Sequence, residues 1–255
     1  MENTPFPSFD PVLDDYNFFM AHSDEAEKDL QAYAKYLPGS EDAKQVFRML
    51  DFGAGAGAFS ANFLRMAGWA ADRLVLTLVE PGETARLEAA ERLGAFTEHP
   101  VAHFASLPDA VDEPFDLILS NHALYFVPDL AATVRFFTNH CKAGGKCLLA
   151  MSGKENALIQ CWARGFQAIG APIPYFTGDD LFELLQAQQV PFHREKVDFS
   201  IDFSDSTENR MKILRFLFGP QRPLFPESVL LDFFEPYRSK GHIRIDTGHY
   251  IYVTG

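Results

Sequence analysis

The chain has 255 residues, 47% of them hydrophobic and 22% charged, with a formal net charge of −13 and a pI near 5.0. That is the balance of a globular protein long enough to bury a sizeable core. An acidic surface without a Lys/Arg cluster repels a phosphate backbone or an anionic membrane, so nucleic acid and lipid are disfavoured as partners and a small-molecule ligand is expected.

The acidic, proline-broken start MENTPFPSFDPVLDD is unlike a signal peptide. Residues 12–37 read as helix in two pieces divided near His22-Ser23, with Ser23 as N-cap ahead of Asp24 and Glu25 and Pro38-Gly39 as the stop. VFRMLDF is a short apolar run suited to a buried strand, and after a glycine-rich turn NFLRMAGWA has helical spacing. RLVLTLVE, HPVAHF and FDLILSN follow as strands, with the helix GETARLEAAERLG after the first of them. DLAATVRFFTNHC and GGKCLLAMS continue the alternation as helix and strand, the pattern of βαβ units in a parallel sheet covered on both faces.

Beyond residue 153 the regularity loosens. NALIQCWARGFQAIG, DDLFELLQAQQV, ENRMKILRFLFG and ESVLLDFFEPYRSKG read as helices, while FHREKVDFSIDF and IDTGHYIYVTG read as strands of a late antiparallel hairpin. The expected organisation is an N-terminal helical lid over residues 1–45 and an α/β domain over 46–255, with helical additions at about 154–190 and 206–240. Cys141, Cys147 and Cys161 form no CxxC pair, so neither a disulfide framework nor a zinc knuckle is expected. His99 and His103 stand four apart in a strand-like stretch broken by Pro100, which is no helical metal pair, and no metal is expected. No apolar run reaches the ~18–20 residues of a membrane span, and a reducing, cytoplasmic setting is the expectation.

The glycines of MLDFGAGAGAFS narrow the chemistry only partly. Gly53, Gly55, Gly57 and Ala58 satisfy the G-x-G-x-x-A pattern of dinucleotide sites, whereas no Lys-Ser/Thr follows to make a phosphate loop. Asp51, two residues ahead of Gly53, opposes a pyrophosphate and suits a ligand bearing an amino group and a sulfonium. Glu80, which ends LTLVE 23 residues after Gly57, is placed to accept from ribose hydroxyls, a role common to both adenosyl ligands.

Taken together, Asp51-x-Gly-x-Gly-x-Gly57, Glu80, FDLILSN and KAGGKCLLA resemble the class I S-adenosylmethionine-dependent methyltransferases over residues 46–152. The resemblance implies a Rossmann-like sheet with its last strand antiparallel, and S-adenosylmethionine as the cofactor. It places the methionine part of the donor on the glycine turn, the ribose on Glu80, the adenine edge at Ser106 and Leu107, and Asn121 and His122 toward the sulfonium. Ala143 stands where the family often has proline, which touches a turn only.

Further segments, FMAHSDE near the start, ALYFVPDLAATVRFF, MSG, YFTGDDLFELL and the final strand, resemble the histamine N-methyltransferase group. That likeness implies a small, amine-bearing acceptor under the lid. It assigns Tyr16, Phe19, Glu25, Tyr125, Phe126 and Asp246 to the acceptor and sets His122 where that group has a polar amide contacting the substrate. His122, Tyr125 and Glu25 are the expected catalytic residues, with His122 able to supply the base that a neutral amine nucleophile needs. The two tryptophans that enclose the imidazole in that group correspond here to about Ala157 and Cys161, so histamine itself is not implied. Each residue also has a plainer reading: Glu25 as a first-turn acid, His122 as a cap, Asp246 as a turn residue, Tyr125 and Phe126 as core. Three other activities fit the same residues: cyclisation of the donor to azetidine-2-carboxylate and methylthioadenosine, non-catalytic binding of the donor, and NAD-dependent oxidoreduction.

Overall fold

A computed structural model describes residues 12–37 and 46–255. The reading of Pro38-Gly39 as a helix stop and that of the first residues fall outside the described residues. The apolar run after residue 46 forms β1 (Phe47–Phe52), and the segments expected to alternate with it form α3 (Ala58–Ala67), β2 (Leu74–Val79), α4 (Glu83–Gly94), β3 (Ala102–Phe104), β4 (Phe115–Asn121), α5 (Leu130–His140) and β5 (Cys141–Met151). Two helices precede them, α1 (Leu13–His22) and α2 (Glu25–Tyr33). After β5 come α6 (Ala157–Ala168), α7 (Gly178–Ala187), β6 (Phe192–Ser204), α8 (Thr207–Phe218), α9 (Glu227–Leu231), β7 (Arg238–Ser239) and β8 (His242–Thr254).

The strands make one sheet in the order β3-β2-β1-β4-β5-β8-β6, with β7 paired to β8. Pairing is parallel from β3 through β5, and β8 runs antiparallel to both β5 and β6. The expected α/β class is thus the observed one. Two boundaries differ. Of HPVAHF only Ala102–Phe104 pairs, at an exposed sheet edge where little is gained by extension. Of ESVLLDFFEPYRSKG only Glu227–Leu231 is α-helical, because the run then tightens into a 3₁₀ turn ending at Pro236 and Tyr237.

Period-two alternation sends neighbours to opposite faces of the sheet. Met49, Leu76, Leu78, Leu117, Leu119 and Leu148 pack with Phe63, Ala89, Leu93 and Tyr33 on one side. Leu50, Ile118, Leu149 and Met151 pack with Val134, Phe137, Leu181 and Leu185 on the other. The lid helices dock on the sheet's far half. Asp15 of α1 takes a bidentate pair of hydrogen bonds from Arg215 of α8, both at 2.9 Å. Ser23 bridges to Ile201, and Asp24 accepts from the Ser200 amide at 2.6 Å. Asp24 occupies the N-cap position of α2, one residue later than expected, because Ser23 is drawn into that bridge.

The turn between β1 and α3 carries Gly53, Gly55 and Gly57 at φ of 77°, 53° and 75°, a region costly for other residues. At Gly57 a Cβ would also lie 3.1 Å from the Ala89 Cα, where α3 crosses α4. Gly57→Ala is expected to lower unfolding free energy by about 1–3 kcal/mol, read from urea unfolding; an unchanged midpoint would mean the turn tolerates a side chain.

Candidate active site

The glycine turn sits at the C-terminal end of β1, where parallel α/β sheets bind ligands. A Cβ on Gly53 would fall 2.1 Å from that of Ala123, whereas one on Gly55 would meet nothing within 4 Å. The turn is therefore pinned on one side and open at its tip. Asp51 is buried and accepts from the Ser60 hydroxyl in the first turn of α3. Burial raises its pKa to about 7, with the Glu80 charge adding to the rise and Ser60 opposing it. Glu80 accepts from the Gly55 and Gly82 amides, each at 2.9 Å, so it orders the turn directly. A short pinned turn, an open tip and two acids, Asp51 and Glu80, fit a cationic adenosyl donor better than a pyrophosphate.

Beside the turn, β4 ends at Asn121, and His122 follows it. His122 has φ of 55°, in the left-handed region, and its amide donates to the Ala150 carbonyl at 3.1 Å. Backbone strain of this kind turns the imidazole off the strand's regular alternation. It meets α2, whose Glu25, Asp29 and Tyr33 recur every four residues on one stripe. Asp29 is fully buried and is the hub of the contact. Its Oδ1 accepts from His249 Nε2 at 2.6 Å, while its Oδ2 accepts from Asn121 Nδ2 at 3.1 Å and lies 3.3 Å from His122 Nε2. The Tyr33 hydroxyl donates to Asn121 Oδ1 at 2.8 Å. Glu25 Oε1 stands 3.7 Å from both His122 Nε2 and His249 Nδ1. On the far side, His122 Nδ1 and the Tyr125 hydroxyl are 3.0 Å apart, and Tyr125 accepts from the Ser152 amide at 2.6 Å.

The charges in this cluster shape one another. Burial alone would raise the Asp29 carboxyl, but His249 and His122 hold it well below the usual carboxylate range. Burial raises Glu25, and the two histidines only partly offset this. Burial would lower His122, yet Glu25, Tyr125 and Asp29 together hold it well above the ordinary histidine value. These neighbours favour the charged form of the His122 ring, and any other positive charge that faces the two carboxylates weakens that preference.

Several expected site residues are brought together here: Asp51, Gly53, Gly55, Gly57 and Glu80 around the turn, and Glu25, Asn121, His122 and Tyr125 around Asp29. Tyr16 feels the Glu25 charge, which with its own burial raises its hydroxyl. Phe126 lies 6.1 Å from Trp162 and 5.0 Å from Tyr175, in an aromatic wall next to Tyr125. Other expectations shift. Asn121 spends its amide on Tyr33 and Asp29 of α2, so it fastens that helix to the end of β4. Phe19 is buried and stacks on Phe216 at 4.7 Å, which makes it a packing residue between α1 and α8. Ser106 is exposed and Leu107 half-buried in the loop after β3. Asp246 is not in the cluster: its side chain is 68% exposed, and it accepts from Ser200 and Arg244 on the outer face of β8.

Asp29, Tyr33 and His249 were missed by sequence reasoning. The signal for the first two was the four-residue step from Glu25 along α2. For His249 it was the inward register of Ile243, Ile245, His249 and Ile251, a polar residue in an apolar series.

Residues 20–190 match a family model described as a methyltransferase domain. No curated protein matches the sequence. Among solved structures, the chain is similar to YcgJ from Bacillus subtilis at 16% identity and a TM-score of 0.59, covering 89% of this chain and 97% of that one. It is similar to a Thermotoga maritima protein, described as an S-adenosylmethionine-dependent methyltransferase and possible histamine N-methyltransferase, at 16% identity, a TM-score of 0.55 and 96% coverage of both chains. The [4+2]-cyclase SpnF shares 17% identity at a TM-score of 0.54, covering 88% of this chain and 78% of its own. At such identities these likenesses speak for the fold alone. The family match reaches from α1 to the end of α7 and takes in both the glycine turn and the end of β4. The chain belongs to the methyltransferase-domain family, with S-adenosylmethionine as its cofactor and S-adenosylhomocysteine as the product of transfer.

Proposed function

We propose that the protein methylates an amine of a small metabolite enclosed beneath α1 and α2. The observation that carries this reading is the pair of carboxylates, Glu25 and Asp29, set on one stripe of α2 against the end of β4 beside the glycine turn. Buried carboxylates demand positive charge, and a substrate ammonium supplies it.

S-adenosylmethionine, when bound, supplies an electrophilic methyl group on a sulfonium. Asp51 and Glu80 would hold its polar parts on the turn. The protein's part in such a displacement is alignment, exclusion of water and removal of the nucleophile's proton. An ammonium drawn to Glu25 and Asp29 weakens their hold on the His122 proton. His122 then gives up its proton to solvent as the acceptor enters, and the neutral ring can take a proton from the acceptor nitrogen. Tyr125, hydrogen-bonded to His122 Nδ1 and fixed by the Ser152 amide, holds the ring in orientation. Phe126, Trp162 and Tyr175 offer aromatic faces to a cationic group, worth about 0.5–2 kcal/mol per contact.

The reading is tested by incubating the protein with S-adenosylmethionine, alone and with a panel of amine metabolites. S-adenosylhomocysteine is expected only when an acceptor amine is present. Methylthioadenosine appearing without an acceptor would replace transfer by cyclisation. Glu25→Gln is expected to leave donor affinity unchanged and raise the acceptor KM about tenfold or more; unaltered acceptor kinetics would reduce Glu25 to a helix-terminal acid.

Asp51 adds a pH signature. Its folded pKa of about 7 lies above the ordinary value, so the free protein holds the carboxyl protonated at lower pH. A cationic donor favours the carboxylate, so binding expels the proton and affinity rises with pH until about 7, then levels. Calorimetry in buffers of different ionisation heat is expected to show release of about one proton per donor bound near pH 6 and almost none near pH 8. Asp51→Asn is expected to abolish that release, and its persistence would assign the proton to another group.

A further inference from the structure

Two atoms of the cluster are buried without a hydrogen-bond partner: His122 Nε2 and His249 Nδ1. Burying such groups unpaired is unfavourable, so their arrangement calls for an occupant. Both face the same carboxylate oxygen, Glu25 Oε1, at 3.7 Å. The three atoms all lie within 4.8 Å of one another. Donor atoms around a tetrahedral first-row metal at about 2.0–2.2 Å stand roughly 3.3–3.6 Å apart, so an ion would have only to draw these side chains inward slightly.

We propose that Glu25, His122 and His249 form a three-ligand site for a first-row divalent transition-metal ion, with zinc or ferrous iron the best fit to two imidazoles and one carboxylate.

Three further features agree. His249 donates its other nitrogen, Nε2, to Asp29 at 2.6 Å, which leaves Nδ1 with its lone pair free for a metal. This carboxylate–histidine pairing fixes the tautomer and sharpens the ligand. His122 has a matching support on its far nitrogen, where Nδ1 meets the Tyr125 oxygen at 3.0 Å. The charge also closes: a dication with two neutral imidazoles cancels the Glu25 and Asp29 carboxylates, which a buried site requires. Three protein ligands leave a coordination position for water or for an oxygen or nitrogen of the acceptor. The ion and an acceptor ammonium are alternative counter-charges for the same carboxylates. With the ion in place, the amine enters unprotonated, the form that attacks.

The inference does not depend on which acceptor is methylated, and its test uses neither donor nor acceptor. Untagged full-length protein is stripped with a chelator and titrated with Co²⁺, then with Zn²⁺ in competition. One Co²⁺ per chain with intense visible bands of a four- or five-coordinate ion, displaced by one Zn²⁺, is the expected result. His249→Ala and Glu25→Gln are expected to weaken Zn²⁺ binding by about 100-fold or more, and Asp29→Asn by about 10–100-fold through His249. X-ray absorption of the Zn²⁺-loaded wild-type protein, expected to show two imidazoles, decides the matter even where a variant fails to fold. Co²⁺ spectra of a loosely held hydrated ion, or Zn²⁺ affinity unchanged in the folded variants, would overturn the site. Either outcome leaves the methyl-transfer reading standing, because that reading fails only if S-adenosylmethionine does not bind or does not turn over.

Discussion

The Asp29 carboxylate is the interaction on which the rest of the structure turns. A fully buried carboxylate without partners would cost several kcal/mol. Here it sits on α2 and is met by His249 from β8 and by Asn121 and His122 from the end of β4. None of those three groups is near it in sequence, so α2 is stable in this position only when the sheet is fully formed. The converse also holds. Without α2, a buried histidine and an amide at the centre of the sheet lose the acceptor that makes their burial tolerable. Lid and sheet are therefore one cooperative unit, whatever ligand enters between them.

The same economy governs the donor turn. Its two acids are bonded to the protein itself, Asp51 to Ser60 and Glu80 to the Gly55 and Gly82 amides. These bonds hold the turn in a shape that three positive-φ glycines permit and that Ala123 pins from below. A turn preordered in this way spends little of a ligand's binding energy on its own folding. It also leaves Asp51 poised between protonation states, so a cationic ligand changes its charge on arrival.

The sheet was legible in the sequence because its signals are local. Apolar runs such as FDLILSN coincide with β4 to the residue, and the helices between them show their period and caps, as Asp129 does ahead of α5 and Asn156 ahead of α6. The glycine turn and its two acids were legible for the same reason, since each stands at a strand end. The acceptor side was only partly so. Glu25 and His122 were picked out, but Asp29, which binds them together, looked like an ordinary helical acid in EAEKDLQAY. Its burial is decided by β6 and β8, which come more than 150 residues later in the chain. Asp246 failed for the mirror reason. Two-residue alternation along β8 sends it outward with Arg244 while His249 goes inward, and the register that decides this is set by the pairing of Ser200 with Asp246.

The placement of the acids gives the two ends of the site different duties. At the turn, Glu80 faces the Gly55 and Gly82 amides and Asp51 the Ser60 hydroxyl, neutral donors that carry no charge to lose. At α2 the acids face imidazoles, whose charge can be lost, replaced or shared. Any group that brings positive charge to Glu25 and Asp29 competes with the proton on His122, and any group that removes it leaves two buried carboxylates unbalanced. The α2 helix is held by the same charges that the proposed acceptor, or the proposed metal ion, would engage. On that proposal, binding at that end and the seating of α2 are linked through one set of atoms, and selectivity for what enters would rest on its charge before its shape.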